Sequence, residues 1–248
     1  MIVRKFYDRE KALAYALEWA LSRNPLFSNF TGRGGDCTNF VSQCVLAGSC
    51  EMNPEETFGW YFVSENDRSP SWTGVNEFYN FMTGSGDFPP KFMRVGPYGS
   101  EVMRENLDVG DVVQLGNEEG SFYHTLFVSG FENGDILVCA HSDDALDRRL
   151  STYTYAISRF IHIDGVNIDI DERDDCFEAL INGISLPPVE ITYAPEILPP
   201  PELIQPRTEE TQPQPEEIIP PQETEGMMGE ERNGMQETSP DGEEDTGI

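Results

Sequence analysis

The sequence is poor in positive charge and has no long apolar run. Its 248 residues include 16 Lys and Arg against 45 Asp and Glu, a formal net charge of −29. Such a surface repels phosphate groups, so we expect neither nucleic acid nor an anionic membrane as a primary partner. No apolar stretch approaches the roughly 20 residues of a membrane-spanning helix, which predicts no membrane insertion. No apolar signal segment follows the N-terminal basic residues, so the sequence predicts no secretion signal, and the cytoplasm is the default expectation for an otherwise unknown location.

Cysteine is scarce and irregularly spaced. The five cysteines are an odd number and contain no Cys-x-x-Cys pair: Cys37, Cys44, Cys50, Cys139 and Cys176. This pattern predicts neither a disulfide framework nor a zinc site, and we expect free thiols without a metal or organic cofactor. Aspartates cluster at 169, 171, 174 and 175, but the stretch lacks the glycine and glutamate of a calcium-binding EF-hand loop. A solvated acidic segment is the better interpretation.

Aromatic residues almost disappear after residue 186. Residues 187–248 contain 12 of the 18 prolines, 16 acidic residues, two arginines and one tyrosine. Such a segment cannot bury enough apolar surface to offset its chain entropy, so we expect a disordered acidic tail. The sequence therefore predicts a folded domain over 1–165, an acidic extension over 166–186 that could pack on it, and the tail over 187–248.

Helical patterns come first along the folded part. Asp8 suits a helix N-cap, an apolar stripe follows over 12–21, and Asn24-Pro25 is a stop signal. A second helix is predicted to begin at Asp36 or Cys37, with Asp36 as its cap, and a third over 75–82.

Strand patterns follow from residue 110 onward. Predicted strands cover 110–115, 124–130, 136–142 and 156–163, and Asn133-Gly134 is a strong signal for a two-residue hairpin turn. Helices followed by such strands predict an α+β domain in which N-terminal helices pack on an antiparallel sheet.

Three residues could carry chemistry, namely Cys37, His124 and His141. A helix N-terminus lowers the pKa of a cysteine thiol, and a nearby imidazole would take its proton. A two-residue turn at Asn133-Gly134 would place His141 opposite Leu126, on the face that also carries His124. A β-bulge between the two histidines would break this alignment.

Five short motifs together resemble the putative amidase domain family over roughly residues 6–163. They are Asp-Cys-Thr-Asn-Phe-Val-Ser-Gln at 36–43, Ser-Trp-Thr at 71–73, Gly-Asp-Val-Val at 110–113, Tyr-His-Thr at 123–125 and Ala-His-Ser at 140–142. That family looks like a bacterial-type branch of the papain-like NlpC and CHAP hydrolases. The resemblance implies a papain-like fold and hydrolysis of amide bonds without a cofactor, through a thioester acyl-enzyme. For relatives, peptidoglycan stem peptides are the usual substrate class.

The same resemblance assigns roles to the three residues. Cys37 would be the nucleophile, His124 the general base and His141 the polar third member of the site. Asp36, Asn39 and Gln43 match the first motif and are accessory candidates. Each of them also suits an ordinary cap or polar helix position.

Several of these residues have an ordinary structural alternative. Cys37 could be a small buried apolar residue, since free cysteines are commonly buried. His124 could be a hydrogen-bonded edge histidine, and His141 could bind a neighbouring aspartate. Trp60 and Trp72 could line a substrate groove or belong to the core, where large aromatic residues are common.

Two functions of different classes therefore stay open. The first is a cysteine-dependent amidase or peptidase, acting on a peptide or amide substrate such as a cell-wall peptide. The second is a catalytically inactive binding module that engages a protein partner through its acidic, proline-rich tail. Deletion of 187–248 should leave turnover nearly intact in the first case and abolish binding in the second.

Overall fold

A computed structural model describes residues 2–169 and 175–191 of the chain. These residues form helices mainly in the N-terminal third and strands mainly after it. The helices are α1 (Arg9–Trp19), α2 (Asp36–Ser49), α3 (Pro70–Thr73), α4 (Val75–Thr83) and α5 (Phe177–Ile181). The strands are β1 (Val3–Lys5), β2 (Phe62–Ser64), β3 (Asp67–Arg68), β4 (Gly96–Val102), β5 (Val112–Gly116), β6 (Phe122–Glu132), β7 (Asp135–Ala140), β8 (Ala145–Arg149) and β9 (Ile157–Ile168).

Seven of these strands form one antiparallel sheet. Its order is β1-β9-β5-β6-β7-β8, and β4 pairs with β9 as well. The long strand β9 pairs with β5 near its start and with β1 near its end, which curls the sheet. The predicted α+β class is therefore confirmed.

Apolar residues alternate along the strands and form two clusters on opposite faces of the sheet. Val112, Phe127 and Cys139 pack in the larger cluster with the helices. Val113 and Leu126 pack in the smaller cluster, together with Tyr153 and Tyr155 from the segment after β8. Helix α2 lies within the larger cluster, and all 14 of its residues are buried.

The three predicted helices are present as α1, α2 and α4, but some of their first and last residues differ from the predicted ones. The side chain of Asp8 accepts a hydrogen bond from the backbone N–H of Lys11 and caps α1, as predicted, but the helix ends at Trp19, before the Asn24-Pro25 signal. Gly35, with a φ of +95°, is the N-cap of α2, so the prediction that Asp36 is the cap is wrong. Asp36 is instead the first helical residue.

The β6–β7 hairpin contains the bulge that the sequence could not reveal. Asn133 and Gly134 both have positive φ, and Glu132 pairs with Asp135, as predicted for a two-residue turn. The register then shifts between Val128 and Gly130. Beyond the shift, Phe127 pairs with Cys139, so continuing the alignment places His141 level with Thr125 instead of Leu126.

This shift corrects the predicted alignment of the two histidines. Side chains alternate between faces, so His124 and His141 point to opposite sides of the sheet. His141 stacks on Phe40 of α2, whereas His124 lies against Tyr153 on the other side.

A disulfide between Cys50 and Cys176 corrects the expectation of five free thiols. It joins the end of α2 to the start of α5 across 126 residues, and Lys11 forms an ion pair with the adjacent Asp175. The remaining cysteines are free and buried: Cys37, Cys44 and Cys139. The sequence missed this pair because two cysteines so far apart share no spacing motif.

The outer parts of the chain are only partly described. Strand β9 continues to Ile168, and Leu186 and Val189 pack against the larger cluster. The division of the chain at residues 165 and 186 stays a prediction. Asp171, Asp174 and nearly all of the predicted tail lie outside the described residues. Within residues 2–169 and 175–191, no helix has the length and apolar character needed to cross a membrane.

Candidate active site

Cys37 is the second residue of α2 and is only 4% exposed. Burial raises the pKa of its thiol, and polar groups of Thr125 and Thr38 near the sulfur oppose this rise only in part. The nearby charge of Asp36 adds to the rise. The expectation that the helix N-terminus lowers the pKa of Cys37 is therefore not met. The thiol is protonated at neutral pH in this structure.

Asp36 anchors the start of α2 in a buried polar cluster. Its Oδ1 accepts hydrogen bonds from the backbone N–H of Phe30 at 3.0 Å and from Asn39 Nδ2 at 3.1 Å. The hydroxyl of Thr31 donates to Oδ2 at 3.0 Å. Burial by itself raises the pKa of Asp36, but the interactions with His141, Phe30 and Asn39 outweigh it and hold the pKa well below its usual range. Asp36 is thus a buried anion at neutral pH beside Cys37.

His141 is fully buried between α1, α2 and the end of β7. Its Nδ1 lies 3.3 Å from Asp36 Oδ2, and its Nε2 lies 2.9 Å from the backbone oxygen of Trp19. Its ring stacks on Phe40 with a centroid distance of 4.0 Å. Both ring nitrogens therefore face oxygen acceptors, and the side chain joins three elements.

Arg23 completes this cluster and was not singled out by the sequence. Its Nε lies 3.1 Å from Asp36 Oδ2, and its Nη2 lies 2.7 Å from Asp144 Oδ1. The arginine therefore links the start of α2 to the loop that follows His141. No local sequence signal marks Arg23, because its importance depends on the burial of Asp36.

His124 is half-buried near the start of β6. Its ring lies 5.9 Å from that of Tyr153. Burial lowers the pKa of His124 to about 4, with Arg148 adding to the shift and Asp143 opposing it. The imidazole is therefore neutral at pH 7 and able to accept a proton.

The side chains of Cys37 and His124 lie on opposite sides of β6, because Thr125, the neighbour of His124, is the residue that faces α2. Among the described residues, no hydrogen bond joins the two side chains. The hydroxyl of Thr38 lies 3.9 Å from the sulfur of Cys37 and 2.9 Å from the hydroxyl of Thr125, which follows His124 directly. Thr38 and Thr125 thus connect the sulfur to the strand residue next to His124.

The accessory candidates Asn39 and Gln43 are buried and hold the helix in place. Asn39 donates to the backbone oxygen of Ser28 at 3.1 Å and accepts from Trp72 Nε1 at 2.9 Å. Gln43 accepts from the hydroxyl of Tyr15 at 2.8 Å. Both side chains therefore fix the surroundings of α2.

The two tryptophans proposed for a substrate groove are fully buried. Trp60 donates to Ser42 Oγ at 3.1 Å, and the rings of Trp60 and Trp72 lie 4.8 Å apart. In this structure they line no open groove, and the core alternative fits their burial.

The comparisons with known proteins agree with the motifs. The family model described as a putative amidase domain matches residues 6–163. The uncharacterized protein YhbB of Bacillus subtilis strain 168 is 33% identical over 168 residues, which cover 63% of this chain and 50% of YhbB. The uncharacterized protein YjcM of the same strain is 26% identical over 151 residues, which cover 58% of this chain and 32% of YjcM. The chain thus spans half or less of the length of these curated relatives.

No solved structure matches the chain at a significant level. The family description indicates, at a coarse level, a hydrolase that acts on amide bonds. Because the family model covers well over half of the sequence, the chain belongs to the putative amidase domain family.

Proposed function

We propose that the chain is a cysteine-dependent amide hydrolase of the papain-like NlpC and CHAP type, with Cys37 as the nucleophile. The observation that supports this proposal is a chain of two contacts: the sulfur of Cys37 lies 3.9 Å from the hydroxyl of Thr38, which lies 2.9 Å from the hydroxyl of Thr125. These contacts support a site in which the sulfur lies at the N-terminus of a buried helix and next to β6, the strand that also carries the neutral imidazole of His124. The proposed nucleophile and the proposed base therefore lie on adjoining elements, with the imidazole of His124 facing away from α2 in this structure.

The proposed reaction starts from an uncharged pair. The raised pKa of Cys37 and the lowered pKa of His124 favour a thiol and a neutral imidazole over an ion pair. His124 takes the thiol proton while the sulfur attacks the amide carbonyl carbon. Backbone N–H groups at the start of α2 stabilise the oxyanion. The resulting imidazolium gives its proton to the leaving amine, and a thioester remains on Cys37.

Water then completes the reaction. His124 accepts a proton from the water that attacks the thioester, the carboxylic acid leaves, and the thiol is regenerated. This sequence requires the His124 side chain to turn from Tyr153 toward Cys37. The step therefore supposes a rearrangement of β6 around His124, because its imidazole faces the side of the sheet opposite α2 in this structure.

His141 and Asp36 act as positioning residues in this proposal. His141 contacts Asp36 and the end of α1, which fixes the first turn of α2 and therefore Cys37. The substrate class that we propose is a peptide or amide, with peptidoglycan-type peptides suggested by the resemblance. No metal or cofactor takes part in the proposed steps.

A second candidate function is a non-catalytic binding module. The observation that favours it is the burial of Cys37, which keeps its thiol away from solvent and raises the pKa of that thiol. In that case the acidic segment after residue 187 would contact a protein partner.

The pH dependence of Cys37 alkylation separates the two functions. Iodoacetamide labelling, located by peptide mapping, would be followed from pH 3.5 to pH 10 in wild type and in His124→Ala. Base assistance predicts that the wild-type rate rises near pH 4 to a plateau about 100-fold above that of His124→Ala, which keeps only the alkaline rise of a thiolate. Identical profiles would exclude an assisted nucleophile and favour the binding module.

The second part of this test measures the hydrolysis of substrates. A peptidoglycan digest and simple peptide amides would be incubated with wild type, Cys37→Ser and the control Cys44→Ser, and released amines would be quantified. We expect hydrolysis by wild type and Cys44→Ser alone. Hydrolysis by Cys37→Ser would contradict the mechanism.

A further inference from the structure

Three residues form a row across the central strands of the sheet. Gln114 of β5 pairs with Arg159 of β9 on one side and with Thr125 of β6 on the other. Neighbouring strands lie about 4.8 Å apart, so the Cα of Arg159 is about 10 Å from that of Thr125. The row faces α2, because the hydroxyls of Thr125 and Thr38 are 2.9 Å apart.

Hydrogen bonds run along this row toward the first turn of α2. Arg159 Nε donates to Gln114 Oε1 at 2.7 Å, and Gln114 Nε2 lies 3.2 Å from Thr125 Oγ1. Gln114 is fully buried, and its Nε2 also donates to the backbone oxygen of Val75 at 2.8 Å. The position of Arg159 is therefore fixed relative to Cys37.

The guanidinium of Arg159 is held between two aromatic rings. Its Cζ lies 3.7 Å from the ring centroid of Tyr79 and 3.9 Å from that of Phe122. Its Nη2 donates to Asn76 Oδ1 at 3.0 Å. Among the described residues, Nη1 has no hydrogen-bond partner, so this nitrogen of the guanidinium is a free donor.

The charge of Arg159 also lacks a direct counterion. In the part of the chain that the structure describes, no carboxylate lies within ion-pair distance of it. Glu101 is nearby and favours the charged form, but it accepts a hydrogen bond from the hydroxyl of Tyr79. Burial lowers the pKa of Arg159 to about 10, so the side chain is still a cation at neutral pH.

A rigid and unpaired guanidinium is suited to a carboxylate. Its planar donors match carboxylate geometry, and the flanking rings reduce the entropy lost on binding. A half-buried cation also gains more from a counterion than an exposed one does. The chain has a net charge of −29, so most of its surface repels an anionic ligand. The guanidinium of Arg159 is a local exception that attracts one.

We propose that Arg159 binds a carboxylate of the substrate, which makes the chain a hydrolase for acidic peptides. The Cα atoms of Arg159 and Thr125 are about 10 Å apart, so a test peptide with about three extended residues between its carboxylate and its reactive group matches the scale of this row. This inference rests on the proposed function, because it takes Cys37 as the point of attack.

The experiment uses a matched pair of reactive peptides. One is iodoacetyl-Ala-Ala-Gly with a free C-terminal carboxylate, and the other carries a C-terminal amide. Labelling of Cys37 would be followed by peptide mapping in wild type, Arg159→Met, Arg159→Lys and the surface control Arg104→Met. We expect wild type and Arg104→Met to react about tenfold faster with the carboxylate peptide, as a charged hydrogen bond implies.

The Arg159 variants provide the decisive comparison. Arg159→Met should lose the preference and react equally with both peptides, and Arg159→Lys should keep part of it. For each variant we compare the ratio of its two labelling rates, carboxylate peptide over amide peptide. A general loss of stability lowers both rates and cancels in this ratio. Equal rates in wild type, or a preserved preference in Arg159→Met, would overturn the carboxylate site. The proposed function is tested separately by the amide peptide, whose reaction with Cys37 should still depend on His124.

Discussion

The carboxylate of Asp36 and the imidazole of His141 meet in the interior of the protein, with Oδ2 3.3 Å from Nδ1. Both side chains are fully buried, and Arg23 approaches the same oxygen. The contact joins the residue before Cys37 to the end of β7. It explains how a helix that carries a candidate nucleophile is held against the sheet.

Asp36→Asn should destabilise the protein strongly. Removing one member of a buried charged cluster leaves its partners uncompensated, which typically costs about 3–5 kcal/mol. Asp144→Asn is the matched control, because Asp144 pairs with the same arginine at the surface and should cost less than about 1 kcal/mol. Urea unfolding at pH 7 measures both, and similar losses would contradict the importance of the buried contact.

The effect of Asp36→Asn should also depend on pH. The folded pKa of Asp36 is lowered, so its contribution to stability is fully present above the ordinary pKa of about 4 and is lost as pH falls below that value. Wild type and Asp36→Asn should therefore converge in the free energy of unfolding between pH 4 and pH 2. A constant difference over this range would argue against an ionised Asp36.

His124 should titrate near pH 4 in the folded protein. Between this value and the ordinary pKa of about 6.5, the unfolded chain binds more protons than the native state, so stability falls as pH decreases through that window. Imidazole resonances in NMR spectra, assigned with His124→Ala, measure the titration. An apparent pKa at or above 6.5 would show that the ring is not buried as described.

The disulfide between Cys50 and Cys176 should contribute substantially to stability. It closes a loop with a sequence separation of 126, for which chain entropy predicts about 4–5 kcal/mol. Reductant should therefore lower the unfolding free energy of wild type. A thiol assay on the unfolded, unreduced protein should detect three of the five cysteines.

The double variant Cys50→Ser with Cys176→Ser is the control for this effect. It should match reduced wild type and be insensitive to reductant. Five reactive thiols before reduction, or an equal response of both proteins to reductant, would contradict the bond.

Gly35→Ala should disturb the start of α2. Gly35 has a φ of +95°, and an added Cβ would lie 3.0 Å from the carbonyl oxygen of Thr73. Gly32 has a φ of +76° but open space around it, so Gly32→Ala is a matched control for backbone strain alone. We expect Gly35→Ala to cost about 1–2 kcal/mol more than the control in urea unfolding. Equal costs would mean that the contact with Thr73 is relieved without strain.

Local patterns in the sequence predicted the helices α1, α2 and α4 and the strands β5, β6, β7 and β9. The Asn133-Gly134 turn, the α4 helix and the cap at Asp8 are each determined by residues within a few positions, and all three are present. Strands β1, β2, β3, β4 and β8 were missed. For β1 and β4 the reason is that each gains its partner β9 from more than 50 residues away.

The geometry of the site depended on features that no short pattern shows. The shift between Val128 and Gly130 separates the faces of His124 and His141, although the turn itself was predicted correctly. The cluster around Asp36 also required tertiary structure, since Arg23 gains its partners only when α1, α2 and the loop after β7 meet. The family motifs therefore located the site, and the fold determined which of its residues touch.

The burial of α2 along its whole length limits how its motif responds to mutation. A saturation scan of residues 36–49 would report intolerance at nearly every position, whether or not a side chain takes part in chemistry. Loss of activity in this segment is therefore ambiguous unless the amount of folded protein is measured beside it. Near-isosteric exchanges such as Cys37→Ser and Cys44→Ser, compared at equal folded concentration, separate a reactive atom from a packing atom.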